Sequence, residues 1–139
     1  MSDESIENLT GIWQGYYLYP RGGAPVSFVA TLLESGRFVT GTTHEAATQG
    51  RIIGQTLYAM VSGARVGMTV SFVKSYTHSG ENTGYEMPIT YQGVISADGS
   101  VIEGNWTIYA GFSGRFAMTR PRRAEARREQ GIGIETRAR

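Results

Sequence analysis

His44 and Glu45 stand side by side in the stretch Thr40-Gly41-Thr42-Thr43-His44-Glu45, which reads as a β-strand. Neighbours on a strand point to opposite faces, so these two cannot act on each other as an acid–base dyad. One of them faces inward, where a polar group needs a partner. An inward Glu45 would be a ligand anchor, a lone acid–base group or the partner of a cation. The alternative puts both residues at a rim in solvent. Lys74 and Tyr76 close another strand beside the polar stretch 78–84, and with Glu86 they would form a polar mouth or a surface ion pair. An aromatic set of Trp13, Tyr17, Phe28, Phe72, Tyr91, Trp106 and Phe116 offers a flat apolar pocket or a packed core.

Composition removes most other chemistry. The 139 residues contain no cysteine, so disulfides, thiolate metal sites and cysteine nucleophiles are excluded. Two histidines are too few for a multi-histidine metal site, and no nucleophile, base and orienting group stand out as a triad. No metal or other cofactor is expected. No apolar run approaches the roughly 20 residues of a membrane helix. The start Met1-Ser2-Asp3-Glu4-Ser5 is polar and acidic, unlike a secretory leader, so a cytoplasmic protein is expected.

Residues 120–139 hold seven arginines and three glutamates, a charge of +4, whereas the first 119 residues carry −3. Such a tail either binds phosphate or is a solvated extension. It lacks the stacking aromatics of nucleic-acid modules, so a nucleic-acid partner is not expected. Three parts follow: an acidic extension at 1–8, a barrel at 9–120 and an arginine-rich tail at 121–139.

The body alternates short apolar runs with glycine, proline, asparagine and aspartate. Strands are predicted at 10–19, 25–34, 37–45, 51–61, 65–76, 86–96, 101–109 and 112–120. Ser35-Gly36, Ser62-Gly63 and Ala97-Asp98-Gly99 are the expected tight turns. Eight consecutive strands with short connections predict an all-β, antiparallel up-and-down barrel, with a two-sheet sandwich as competitor. Alternation places four apolar rows inside: Val66, Met68, Val70 and Phe72; Ile89, Tyr91, Gly93 and Ile95; Ile102, Gly104, Trp106 and Ile108; Gly114, Phe116 and Met118. The glycines in those rows serve tight bends or leave room for a ligand. Strand one is apolar on both faces, with Ile12, Tyr16 and Leu18 opposite Trp13 and Tyr17. Strand four, with Ile52, Ile53, Leu57, Tyr58 and Met60, has the same property. A second copy of the chain is expected to cover an outer face, giving a dimer or tetramer.

Several stretches resemble the calycin group of lipocalin, fatty-acid-binding and avidin-like barrels. Leu9-Thr10-Gly11-Ile12-Trp13 is similar to their opening G-x-W. Gly36-Arg37-Phe38-Val39-Thr40-Gly41-Thr42 and Gly67-Met68-Thr69-Val70-Ser71-Phe72, followed by Lys74 and Tyr76, resemble the avidin branch, as do Thr90-Tyr91-Gln92-Gly93 and Trp106. The resemblance spans about residues 9–120 and is shared with short uncharacterised bacterial proteins. It implies a ligand-holding barrel. It does not imply biotin, because the polar positions that grip the ureido ring fall at Gly15, Tyr19, Thr43, Glu45 and Gly114. Nor does it imply haem, because no histidine follows His78.

The sequence thus points to a non-enzymatic barrel for a small hydrophobic molecule. The candidate contacts are Trp13, Tyr17, Thr43, Glu45, Phe72, Tyr91, Trp106 and Phe116, with Glu45 or Lys74 holding a polar end. Two other readings stand beside it: a cofactor-free isomerase or cyclase using Glu45, and an oligomer acting through its surface and tail.

Overall fold

The computed structural model describes residues 8–77, 83–109 and 112–122. The expected N-terminal extension and arginine tail lie outside these, apart from Asn8, Pro121 and Arg122. Eight strands follow in order: β1 (Gly11–Leu18), β2 (Val26–Ser35), β3 (Phe38–Ala46), β4 (Thr56–Val66), β5 (Thr69–Thr77), β6 (Ile89–Ile95), β7 (Val101–Tyr109) and β8 (Phe112–Thr119). Each pairs antiparallel with the next, and β8 pairs back onto β1 from Gln14↔Thr119 to Leu18↔Arg115. The sheet is therefore a closed up-and-down barrel, and closure leaves no open sheet edge.

Alternation generates the inside. Ile89, Tyr91, Gly93 and Ile95 are all buried on β6, with Thr90, Gln92 and Val94 outward. β7 and β8 follow their predicted rows, and Ile102, Trp106, Phe116 and Met118 are buried.

The β4–β5 hairpin departs from expectation. Its turn is not Ser62-Gly63, because β4 continues to Val66 and the chain reverses at Gly67, whose φ is 61°. That left-handed conformation favours glycine. Gly63 answers a different need, since a Cβ there would sit 1.9 Å from the Ser71 carbonyl oxygen. Val66, expected inside, is exposed at the turn, whereas Val70 and Phe72 are buried as their row predicts and Lys74, two residues on, is buried with them. Residues 51–55 precede β4 and include part of a 3-10 turn at Gly50–Ile52, so Ile52 and Ile53 do not belong to that strand.

One end of the barrel is packed shut. Trp13 is fully buried, and its indole Nε1 donates to the Leu9 carbonyl at 2.9 Å. The Arg120 guanidinium lies 4.4 Å from its ring centroid and also donates to the Thr10 and Asn8 carbonyls. Beside it Arg65 pairs with Glu34 at 3.0 Å, and Glu34 also accepts from the Leu9 amide. Above this clamp Leu32, Val39, Val61, Val70, Ile95, Ile102 and Met118 belong to one continuous core.

Candidate functional site

The other half of the interior is different in kind. Inward positions near the C-terminal ends of β1, β3 and β5 carry Tyr17, Glu45, Lys74 and Tyr76, while β6 and β7 contribute Tyr91 and Trp106. Lys74 Nζ lies 2.7 Å from Glu45 Oε1, and neither side chain is more than 1% exposed. Tyr17 Oη donates to Glu45 Oε2 at 2.6 Å, and Tyr76 Oη donates to Oε1 at 3.1 Å. The carboxylate therefore receives three donors.

The ammonium is enclosed by the rings of Tyr17, Phe28, Tyr76 and Tyr91, with centroids 4.8–5.6 Å from Nζ. Phe28 reaches it across Gly15, where a Cβ would fall 2.5 Å from the phenyl Cζ. The expected surface ion pair at Lys74 is thus a buried one: Lys74 continues the inward row of Val70 and Phe72 and reaches Glu45 across β4. Both Glu45 and Lys74 are inside, and His44 is outside against Tyr58.

Burial sets the protonation states. Desolvation pushes the Lys74 ammonium below its ordinary value, while Glu45 pulls it back up. Desolvation together with the nearby Glu45 charge drives the Tyr17, Tyr76 and Tyr91 phenols upward, so all three remain neutral donors. Tyr19 is raised too, chiefly by burial.

A cavity of about 250 Å³ lies above this network. Six of the chain's eight tyrosines line it: Tyr17, Tyr19, Tyr76, Tyr85, Tyr91 and Tyr109. Trp106, Phe112, Ile89, Ile108 and Met87 supply most of the remaining apolar wall, and Gln49 a polar amide. Tyr109 and Phe112 are 57% and 37% exposed, so the cavity reaches the surface there. Trp106 is fixed by its Nε1 donating to the Leu18 carbonyl at 3.0 Å. This needs glycine at its register partner Gly114, where a Cβ would lie 2.6 Å from that nitrogen. Space freed by Gly114 is taken by the indole, not by a ligand.

Tyr17, Tyr91 and Trp106 are therefore in the cavity wall. Glu45 stands behind Tyr17 and Tyr76. Phe72 stacks on Tyr91 at 5.2 Å, and Phe116 meets Tyr91 edge-on at 4.9 Å, so both form packed floor. Trp13 is at the sealed end, away from the cavity, and does not line it. Thr43 is buried between Ala30 and Ala59 in register; its hydroxyl has no hydrogen-bond partner, and it too is absent from the wall. Tyr85, Tyr109 and Phe112 did not emerge from strand alternation. Tyr85 precedes β6 and Phe112 is the first residue of β8. The tyrosines clustered at one set of strand ends were the available signal. Among the described residues no group of three or more histidine, aspartate or glutamate side chains is placed to hold a metal ion.

No family model matches the chain, and no curated protein matches it. Two solved structures share its architecture. The redesigned β barrel b11L5F_LGL superimposes with a TM-score of 0.66 at 12% identity, covering 85% of this chain and 96% of its own. The redesigned β barrel mFAP1, solved bound to DFHBI, gives a TM-score of 0.60 at 12% identity, covering 84% and 99%. At this identity the likeness establishes the fold alone, a closed eight-stranded antiparallel barrel.

Proposed function

We propose that the chain is a non-enzymatic binding barrel whose tyrosine-lined cavity holds a small, flat, largely apolar molecule. The observation that carries this reading is the cavity itself, set above a buried ion pair. At an effective dielectric of about 20, two charges 2.7 Å apart attract by about 6 kcal/mol. Desolvating the two ions costs several kcal/mol each, so a well-packed apolar pair would serve stability as well. The network is better explained as a fixed polar base for a ligand chamber. The redesigned barrel mFAP1, which shares the fold, was solved bound to the small molecule DFHBI, and this supports the reading in kind. The resemblance of residues 9–120 to calycin barrels supports it in kind. Against an acid–base role, both oxygens of Glu45 are already occupied by Tyr17, Tyr76 and Lys74.

Melting the protein against a panel of planar apolar molecules, DFHBI among them, tests the proposal. A true ligand at a hundred times its Kd stabilises by about 2.7 kcal/mol and raises the melting temperature by several degrees. A melting temperature unmoved by every member of the panel counts against it.

A second reading concerns assembly. On the outward rows of the eight strands the only charged residues are Glu103 and Arg115, while Ile12, Tyr16, Leu33, Phe38, Tyr58 and Met60 are exposed. A two-fold contact lays one patch against its own copy, where any like charge would meet itself, so a charge-poor wall suits it. The proposed partner is a second copy of the chain, through the outer face of the barrel.

A further inference from the structure

The tyrosine hydroxyls around the cavity differ in what they can offer. Tyr17 and Tyr76 give their hydrogens to Glu45, so towards a ligand their oxygens can only accept. Tyr91 has the opposite sense. Its oxygen faces the Lys74 ammonium at 3.5 Å, and that ammonium has only donors. The Tyr91 hydrogen must therefore point elsewhere, and among the described residues no acceptor receives it. Tyr91 is 2% exposed and belongs to the cavity wall.

The cavity's inner end thus presents acceptors and a donor close together, over a base whose charges cancel. A carboxylate placed there would stand near Glu45 and find the Tyr91 hydrogen beside two oxygens, those of Tyr17 and Tyr76, with none to give. An ammonium would stand near Lys74. Either would be desolvated without a counter-charge of its own, which is costly. A neutral hydroxyl satisfies both senses, donating to Tyr17 or Tyr76 while accepting from Tyr91. The flat rings of Tyr85 and Trp106 favour a planar aromatic body.

We infer that the cavity takes an uncharged aromatic compound of the phenol class, hydroxyl inward, with Tyr91 as donor to that hydroxyl. This rests on the cavity being a ligand site, as proposed above.

Calorimetric titration with naphthalene, 2-naphthol, 2-methoxynaphthalene and 2-naphthoate tests it, on the full chain and on Tyr91→Phe. One added hydrogen bond changes affinity by up to about tenfold. The expected order is 2-naphthol tightest by about tenfold over naphthalene, the methyl ether between them, and the carboxylate weakest. Tyr91→Phe should weaken 2-naphthol about tenfold and leave naphthalene unchanged, which also reports that the variant is folded. If that variant does not fold, the ligand order on the natural chain decides alone. Equal binding of naphthalene and 2-naphthol, or a preference for the carboxylate, overturns the phenol inference and leaves a ligand site standing. No binding of any of the four overturns the ligand site with it.

Discussion

Glu45 and Lys74 carry the most consequential single contacts in the molecule. Removing one partner leaves the other charge buried and uncompensated, a loss of about 3–5 kcal/mol. Glu45→Gln and Lys74→Met should each show this in urea unfolding. The double variant should be less damaged than the sum, because no buried charge remains. The tyrosines add a pH dependence. Their folded values lie above the unfolded value of 10.0, so above about pH 10 the native state keeps protons that the unfolded chain has released. Unfolding free energy then falls with pH, by up to roughly 1.4 kcal/mol per pH unit for each of the three. Lys74 acts in the opposite direction: its folded value is lowered, so stability rises with pH up to the unfolded value of 10.5 and gains nothing beyond it. Between about pH 10.5 and 11.5 the decline should be steep, with Tyr19 adding to it, and Tyr76→Phe should remove about a quarter to a third of its slope. An unchanged slope in that variant would mean Tyr76 does not hold its proton. At this scale the sequence was partly legible. Alternation could say that Glu45 or His44 faces inward, but not that Lys74, two strands away on β5, was its partner, because that meeting depends on the registers of both strands against β4.

That register belongs to the scale of the element. Where a turn needs a left-handed residue and a side-chain clasp, the sequence reads directly: Asp98 Oδ1 accepts from Ser96 and Ser100, and Gly99 has a φ of 74°. Ser62-Gly63 looked the same on paper and is strand. Two needs for glycine, positive φ and close backbone approach, are indistinguishable without the partner strand. Gly67 meets the first and Gly63 the second. The glycines of the inward rows likewise suggested spare room, which Trp106 and neighbouring backbone occupy. Gly114→Ala should therefore destabilise the barrel by about 1–3 kcal/mol through overpacking and displace the indole. Urea unfolding and the near-ultraviolet dichroism of the tryptophans would register both effects. A variant as stable as the natural chain, with unchanged dichroism, would contradict the account of Trp106.

At the scale of the whole molecule, eight short apolar runs with brief connections were enough to specify a closed barrel. The division of its interior into a sealed half and a chambered half was not legible, since Trp13 and Trp106 look alike in a strand pattern. Only closure shows that Trp13 lies under Arg120 while Trp106 faces the tyrosines. The charge-poor outer wall of the strands leads to an expectation about assembly. Light scattering at micromolar concentration should return a multiple of the 15.2 kDa protomer, and Met60→Glu, on the outer face of β4, should shift it towards the monomer. A monomer from the natural chain would contradict the second-copy reading. The proposed role of the whole barrel is to hold a ligand in its chamber. Native mass spectrometry of the protein equilibrated with 2-naphthol and its planar relatives, compared with the denatured mass, tests it most directly. One bound molecule per protomer, lost on denaturation, is the expected result; a bare protein mass with every compound offered would rule out a ligand chamber.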